Sequence, residues 1–241
     1  MRFQPYVEGS VAGPADPTRR SELIGRRVLL GWGAAAAVLP LFGATSVARA
    51  VTPPDLRFRA MHRGAAVGEH RVGFRSDGDR LVVTTHIDIT VKILFFTAFR
   101  FSHDAVEVWQ AGRLVSVEST TDDNGTRLAV TGAAVGDGFR ITGVDGPFLA
   151  APQLLTTNTL WDRRLLRESR MIDVQHGGVV GLVMKPLGEE QVATPRGPVT
   201  ARRYQIITPN YAGSVFFDGD GRWVKGLMER NGEILEYALA S

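Results

Sequence analysis

Side chains that could bind a metal ion lie close together on two consecutive strands of the predicted sheet. His86 and Asp88 lie two residues apart on a β-branched run, and His103, Asp104 and Glu107 follow on the next run. Residues two apart on a strand face the same side, and zinc sites use three or four such ligands. The same pattern is typical of polar side chains on a solvent face. We favour this second interpretation, because spacing alone does not set the register between the two strands.

Motifs for nucleophilic catalysis and phosphate binding are missing from the sequence. It contains no Gly-x-Ser-x-Gly elbow and no Walker-type glycine loop. The chain also lacks cysteine, which excludes disulfides, thiolate metal sites and cysteine nucleophiles. A metal-dependent hydrolase using His86, Asp88 or His103 is therefore the third of our functional hypotheses, and no cofactor is predicted.

The acidic stretch Asp218–Gly221 carries carboxylates at alternate positions, as the start of a calcium loop does. Such a loop needs a later glutamate within twelve residues, whereas Trp223 and Val224 already resume a strand pattern. The stretch predicts a hairpin turn.

An unusually apolar run contains four phenylalanines within seven residues, namely Phe95, Phe96, Phe99 and Phe101. Exposing such a hairpin tip is costly, since burying one phenylalanine stabilises a fold by about 1.5–3 kcal/mol. The run must therefore pack into the core, line an apolar cavity, or contact a membrane or partner. Core packing is the default interpretation.

The elements that position these residues are predicted to be strands. Apolar and polar residues alternate, and turn signals such as Asn-Gly separate the runs. One segment differs, because leucines and Trp161 at helical spacing predict a short helix near 159–168. The predicted strands are 56–63, 67–76, 80–92, 99–109, 114–120, 126–131, 138–144, 179–185, 189–194, 199–208, 213–217, 222–230 and 233–239.

The predicted fold class is mostly β, with a single large curled antiparallel sheet of about a dozen strands, shaped as a clam or open barrel. One helix cannot cover such a sheet, so the helical segment and long loops would plug its concave face. We expect that face to bind an apolar or amphipathic, lipid-like molecule. The expected wall consists of Phe95, Phe96, Phe99, Phe101, Phe148 and Trp161.

The beginning of the chain is similar to a bacterial twin-arginine export signal. Arg26 and Arg27 precede a weakly apolar run over 28–47, and Ala48 and Ala50 form a small-residue cleavage site. We predict a signal over residues 1–50, cleaved after Ala50, and a single β-rich domain over 51–241. The expected partners are the twin-arginine translocation machinery and signal peptidase, and the expected location is the periplasm. An uncleaved anchor is the alternative, because about 20 residues can span a bilayer, but a proline and several glycines interrupt the run.

Removal of the signal changes the charge balance. The whole chain has 28 basic and 25 acidic residues. The first 50 residues hold six arginines and three acids, so 22 residues of each sign remain. Nucleic-acid binding needs a basic surface, and none is predicted for the mature part. The local arginine cluster over 163–170 is interpreted as a solvated helix face.

Several motifs resemble a known family of exported bacterial proteins, the domain-of-unknown-function family 6134. They are Val67–His70, Leu160–Asp162, Met171–Gly178 and Phe217–Val224, and the resemblance extends over nearly all of 55–239. The family has no assigned activity to transfer. The C-terminal strands are also similar to the curled sheet of bacterial lipoprotein carriers, a likeness of fold that implies no function.

These observations lead to one principal functional hypothesis and two alternatives. The principal one is a non-enzymatic periplasmic protein that binds an apolar or amphipathic ligand and keeps no transmembrane span after cleavage. The first alternative is a structural or interaction module of the cell envelope, and the second is the metal-dependent hydrolase described above.

Overall fold

The structure is a computed structural model that describes residues 52–93, 96–230 and 232–240. The predicted export signal, with Arg26, Arg27, Ala48 and Ala50, lies outside the described residues, as does Phe95. No helix within the described ranges is long and apolar enough to cross a membrane.

Strands make up most of the described chain. The first eight are β1 (Leu56–His62), β2 (Ala65–Asp77), β3 (Arg80–Ile93), β4 (Phe96–Gln110), β5 (Arg113–Asp123), β6 (Thr126–Val135), β7 (Gly138–Gly143) and β8 (Gly146–Ala150). The others are β9 (Arg170–Ile172), β10 (Val179–Gly181), β11 (Val183–Thr194), β12 (Gly197–Ile207), β13 (Ala212–Asp218), β14 (Trp223–Arg230) and β15 (Glu233–Leu239).

Thirteen of these strands form one antiparallel sheet that is strongly curled but not closed. Its strand order is β11-β12-β13-β14-β15-β1-β2-β3-β4-β5-β6-β7-β8, and β9 and β10 form a separate pair. The first strand pairs with both β2 and β15, so the two ends of the described chain meet in the middle of the sheet. The predicted fold class is confirmed.

Strand alternation places one face of the sheet inside the curl. On β3, Val83, Ile87 and Ile89 are buried, whereas His86 and Asp88 lie on the outer face and are partly exposed. The predicted orientation of this strand is therefore correct, because the two-residue side-chain period is a local property of the chain.

The predicted short helix near 159–168 is replaced by two 3₁₀ segments, Thr159–Trp161 and Arg163–Arg167. Asp162 separates them in an extended conformation, and its side chain accepts the backbone N–H of Arg164. Asn158, which precedes the first segment, makes no capping hydrogen bond with its side chain. The local hydrogen bond of Asp162 and the tertiary contact of Asn158 with His103 have overridden the helical spacing.

Residues 151–182, here called the inner segment, fill the concave face of the sheet. Their apolar side chains join the core formed by the inner face, and those fully or almost fully buried are Leu155, Leu160, Leu165, Met171, Ile172, Val174 and Leu182. The expectation that this region plugs the concave face is met. The inner segment also contains β9 and β10, and β9 had no counterpart among the predicted strands.

The two edge strands of the sheet have features that oppose pairing with further strands. The edge strand β8 has five residues and contains Pro147. The other edge strand, β11, contains Pro186 and a register shift between Pro186 and Gly188. Short strands, prolines and bulges are common means by which proteins protect sheet edges from aggregation.

Candidate functional site

The meander places its turns alternately at two opposite ends of the curled sheet. The end here called the cleft end carries the turns at 78–79, 111–112, 136–137, 195–196 and 219–222. The end here called the far end carries the turns at 63–64, 124–125, 144–145 and 208–211. The two 3₁₀ segments lie at the cleft end, where the Arg164 guanidinium donates to the carbonyl of Gly112 over 2.6 Å.

An open cleft of about 490 Å³ lies at the cleft end. Its apolar floor consists of the half-buried Phe74, Trp161 and Val199 above the buried Leu56 and Trp223. This volume falls within the range of about 300–1,000 Å³ that is usual for small-molecule sites, and an apolar lining is also usual there.

Aromatic packing holds the floor of this cleft in place. The Trp161 ring meets Phe74 edge to face at 5.2 Å between ring centroids, and it meets Trp109 similarly at 6.1 Å. The Trp223 ring lies 4.1 Å from that of Phe58. Because these rings come from four strands and the inner segment, the floor is preformed by the tertiary structure.

The rim of the cleft carries charges of both signs. Arg196, Asp218, Asp220 and Arg222 line it. The Asp218 carboxylate accepts the backbone N–H of Arg222 over 2.8 Å and so closes the β13–β14 turn. The acidic stretch is thus a hairpin turn, as predicted.

Arg163 also reaches this rim. A Cβ atom added at Gly221 would lie 2.0 Å from Cδ of Arg163, so the arginine side chain runs directly over the glycine. Gly221 has a φ of +81°, which favours glycine in any case. The turn therefore requires glycine for both its backbone conformation and its contact with Arg163.

A second cleft of about 360 Å³ lies at the same end. Gln110, Leu114, Phe139 and Leu154 are among its lining residues. It has a single aromatic side chain in its wall, in contrast to the three of the first cleft. We therefore take the first cleft as the candidate functional site.

Buried polar groups on β4 attach the inner segment to the sheet. Glu107 is 1% exposed; one carboxylate oxygen accepts the Thr156 hydroxyl over 2.6 Å and the other accepts the Trp109 indole N–H over 3.0 Å. Burial raises the pKa of Glu107 to about 7. Because both oxygens are occupied inside the core, this carboxyl group has a structural role.

His103 forms the second of these attachments. Its Nε2 accepts from the Asn158 side-chain amide over 3.1 Å, which leaves Nδ1–H to donate to the Thr121 hydroxyl over 2.8 Å. The side chain is fully buried. Burial lowers the pKa of His103 to about 4, so the imidazole is neutral at pH 7.

The candidate zinc ligands do not come together. His86 and Asp104 lie on the outer face, with Nδ1 and Oδ1 2.7 Å apart, whereas His103 and Glu107 are buried on the inner face. Within the described ranges no group of three or more His, Asp or Glu side chains could hold a metal ion. The solvent-face interpretation is correct for His86, Asp88 and Asp104 but wrong for His103 and Glu107, because the register places odd-numbered residues of β4 inside.

Sequence reasoning missed a polar cluster at the far end. Asp173 is 3% exposed and accepts the backbone N–H groups of Gln175 and His176, Nδ1–H of His176 over 3.0 Å and the side-chain amide of Asn210 over 2.9 Å. The cluster joins the inner segment to the β12–β13 turn. The Asp-x-x-His spacing before two glycines was the signal for its local part, whereas Asn210 is not predictable from spacing.

His70 lies in an apolar environment on β2. Its ring meets those of Trp223 at 5.3 Å and Tyr237 at 5.2 Å, and Phe58 lies 6.0 Å away. Within the described structure neither ring nitrogen has a hydrogen-bond partner. Burial lowers the pKa of His70 to about 3, and the neighbouring imidazole of His103 adds to the effect.

The aromatic residues predicted to bind a ligand are spread over the fold. Trp161 lines the candidate site, Phe101 is buried in the core beside His103, and Phe99 is half-buried on β4. Phe148 is 45% exposed on the edge strand β8. Phe95 and the side chain of Phe96 lie outside the described part. Ligand binding by these residues stays a prediction.

Two comparisons relate this chain to other proteins. The sequence profile of a family described as "Domain of unknown function (DUF6134)" matches residues 58–240. The fold is similar to that in the crystal structure of a beta-barrel-like protein of domain of unknown function DUF1849 from Brucella abortus, with a TM-score of 0.56 and 7% sequence identity. The match covers 78% of this chain and 95% of that chain, and at this identity it shows the fold alone. Among curated proteins, none matches the sequence significantly.

Proposed function

This chain belongs to the DUF6134 family, and from that premise we propose that it is an exported, non-enzymatic protein that binds an apolar or amphipathic molecule at the cleft end. The family carries no activity that could be transferred. The observation that carries the proposal is the open cleft of about 490 Å³, with its aromatic floor and charged rim.

The physical basis of binding is the apolar surface that this floor leaves accessible. Phe74, Trp161 and Val199 are only half-buried, although they pack against the core. Covering such surface with an alkyl chain gains about 0.8 kcal/mol for each buried methylene group. Because association also costs translational and rotational freedom, a chain of about ten or more carbons is needed for measurable affinity. The charged rim suits a polar end that stays in water.

Filling the cleft should abolish binding of an apolar probe. We expect Val199→Trp to weaken the binding of Nile red at least about tenfold, because the larger side chain occupies the space of the ligand. Fluorescence titration measures the affinity, and circular dichroism checks the fold. The matched control is Val106→Trp, since Val106 is 45% exposed on the outer face of β4. Equal binding by both variants, or no binding by the wild type, would contradict the proposal.

Export by the twin-arginine route forms the second part of the proposal. We expect the protein from the periplasm of its host to begin at Val51, because Ala48 and Ala50 form the predicted cleavage site. Changing Arg26 and Arg27 to lysine together should retain the precursor in the cytoplasm. Mass spectrometry of cell fractions measures both results. A full-length chain in the membrane fraction would instead support the uncleaved anchor.

A further inference from the structure

The rim of the candidate site brings together arginines from three separate segments. Arg196 comes from the β11–β12 turn, Arg222 from the β13–β14 turn and Arg163 from the inner segment. Arg163 and Arg196 are exposed, and within the described residues neither side chain forms an ion pair. Two guanidinium groups are thus available beside an apolar floor.

The acidic groups of the rim balance only part of the charge of these arginines. The Asp218 carboxylate accepts the backbone N–H of Arg222 and is committed to its own turn. Asp220 is exposed and is the second acid among the lining residues. Three arginines against two aspartates leave the rim with an excess of positive charge, and the uncommitted groups are mainly cationic.

The positions of the cations match the shape of an amphipathic anion. Arg163 follows Trp161 by two residues, and its Cδ, Nε and Nη1 atoms lie against Gly221, which is one of the residues lining the cleft. A guanidinium binds a carboxylate or sulfate through two parallel hydrogen bonds. At the boundary between an apolar floor and water, such a bond is less screened than on an open surface.

Resting on the proposed function, we propose that the ligand of this cleft is an amphipath with an anionic end group, which Arg163 and Arg196 bind while its apolar chain covers Trp161 and Phe74. A carboxylate, a sulfate and a phosphate share this chemistry. A cationic end group would meet Asp220 as its only uncommitted partner on the rim among the described residues.

Competition with bound Nile red tests the proposal with three ligands that share one chain length. We compare the affinities of the wild-type protein for dodecanoate, dodecanol and dodecyltrimethylammonium, each below its micellar concentration. We expect dodecanoate to bind about tenfold more tightly than dodecanol, and the cation to bind most weakly. Raising the salt concentration from about 50 to about 500 mM should weaken only the binding of dodecanoate.

Three variants test which side chains bind the anionic end group. Arg163→Gln combined with Arg196→Gln should abolish the preference for dodecanoate over dodecanol. Asp220→Asn should strengthen binding of dodecanoate. Arg75→Gln is the control, because this arginine lies on the outer face of β2 and its side chain is 67% exposed.

The outcomes separate the two proposals. Two results would overturn the proposal that the cleft recognises an anionic end group: equal affinity for the three ligands, or an unchanged preference for dodecanoate in the double arginine variant. Neither result would contradict the proposed binding of apolar molecules. Absence of Nile red binding by the wild type would overturn the proposed function itself.

Discussion

Acidification from pH 7 to about pH 4 is expected to destabilise this protein by several kcal/mol, because two buried imidazoles resist protonation. The pKa of His70 is lowered from 6.5 to about 3, and that of His103 from 6.5 to about 4. Since the folded pKa values are the lower ones, the unfolded chain binds more protons. The stabilisation is complete above pH 6.5 and is lost as the pH falls toward the folded values.

The expected loss of several kcal/mol is a substantial fraction of the stability of a domain. Each unit of pKa difference corresponds to about 1.4 kcal/mol, and a typical domain is stable by about 5–15 kcal/mol. Glu107 acts in the opposite direction, because its pKa is raised from 4.5 to about 7. Its stabilising contribution falls as the pH rises from 4.5 to 7. It therefore opposes the two histidines between about pH 4.5 and 6.5, and it acts alone between pH 6.5 and 7.

Urea unfolding at several pH values between about 4 and about 7 measures this dependence. His70→Phe should flatten the profile, because the substituted ring cannot be protonated and suits the aromatic surroundings. Glu107→Gln should steepen it, because it removes the opposing group. Parallel profiles for the wild type and His70→Phe would contradict a buried neutral His70 in the folded state.

Replacing Asp173 with alanine is expected to lower the free energy of unfolding by about 3–5 kcal/mol. The carboxylate is buried and accepts from two backbone N–H groups, an imidazole and the Asn210 amide. Removing it leaves these donors without their acceptor and detaches the inner segment from the β12–β13 turn. Chemical denaturation measures the loss.

Asp220→Ala provides the control for this substitution. Asp220 is exposed at the other end of the sheet, and surface substitutions usually change stability by less than about 0.5 kcal/mol. Hydrogen exchange adds a local measurement, since amides of the inner segment should lose protection in Asp173→Ala before those of β4. Similar stability of the two alanine variants would show that the cluster at Asp173 is not an anchor of the inner segment.

Much of the fold was predictable because strands and hairpin turns are local properties. Asp122 and Asn124 lie at a turn that the Asn-Gly signal predicted, and the Asp122 side chain accepts the N–H of Gly125 there. The helical spacing around Trp161 was misleading for a physical reason. Asp162 bonds the backbone N–H of Arg164 and divides the segment, while the side chain of Asn158 bonds His103 instead of capping a helix.

The candidate site was less predictable, because its parts come from distant regions of the chain. Trp161 was recognised as a candidate residue, but Phe74, Val199 and the arginines of the rim belong to ordinary strand and turn patterns. His103 and Glu107 share the odd-numbered side of β4 with the apolar Phe101 and Trp109, which indicates that they point inward. Their spacing does not identify their partners in the inner segment.

The sequence by itself determined the strand-rich class, the alternation of β3, the acidic hairpin turn and the family resemblance, because each depends on neighbouring residues. Only the tertiary structure decided that β1 pairs with β15, that the inner segment is attached through Glu107 and Asp173, and that the rim arginines meet at one cleft. Pairing of distant strands and burial of polar groups depend on which surfaces meet after folding. Local periodicity does not predict these long-range contacts.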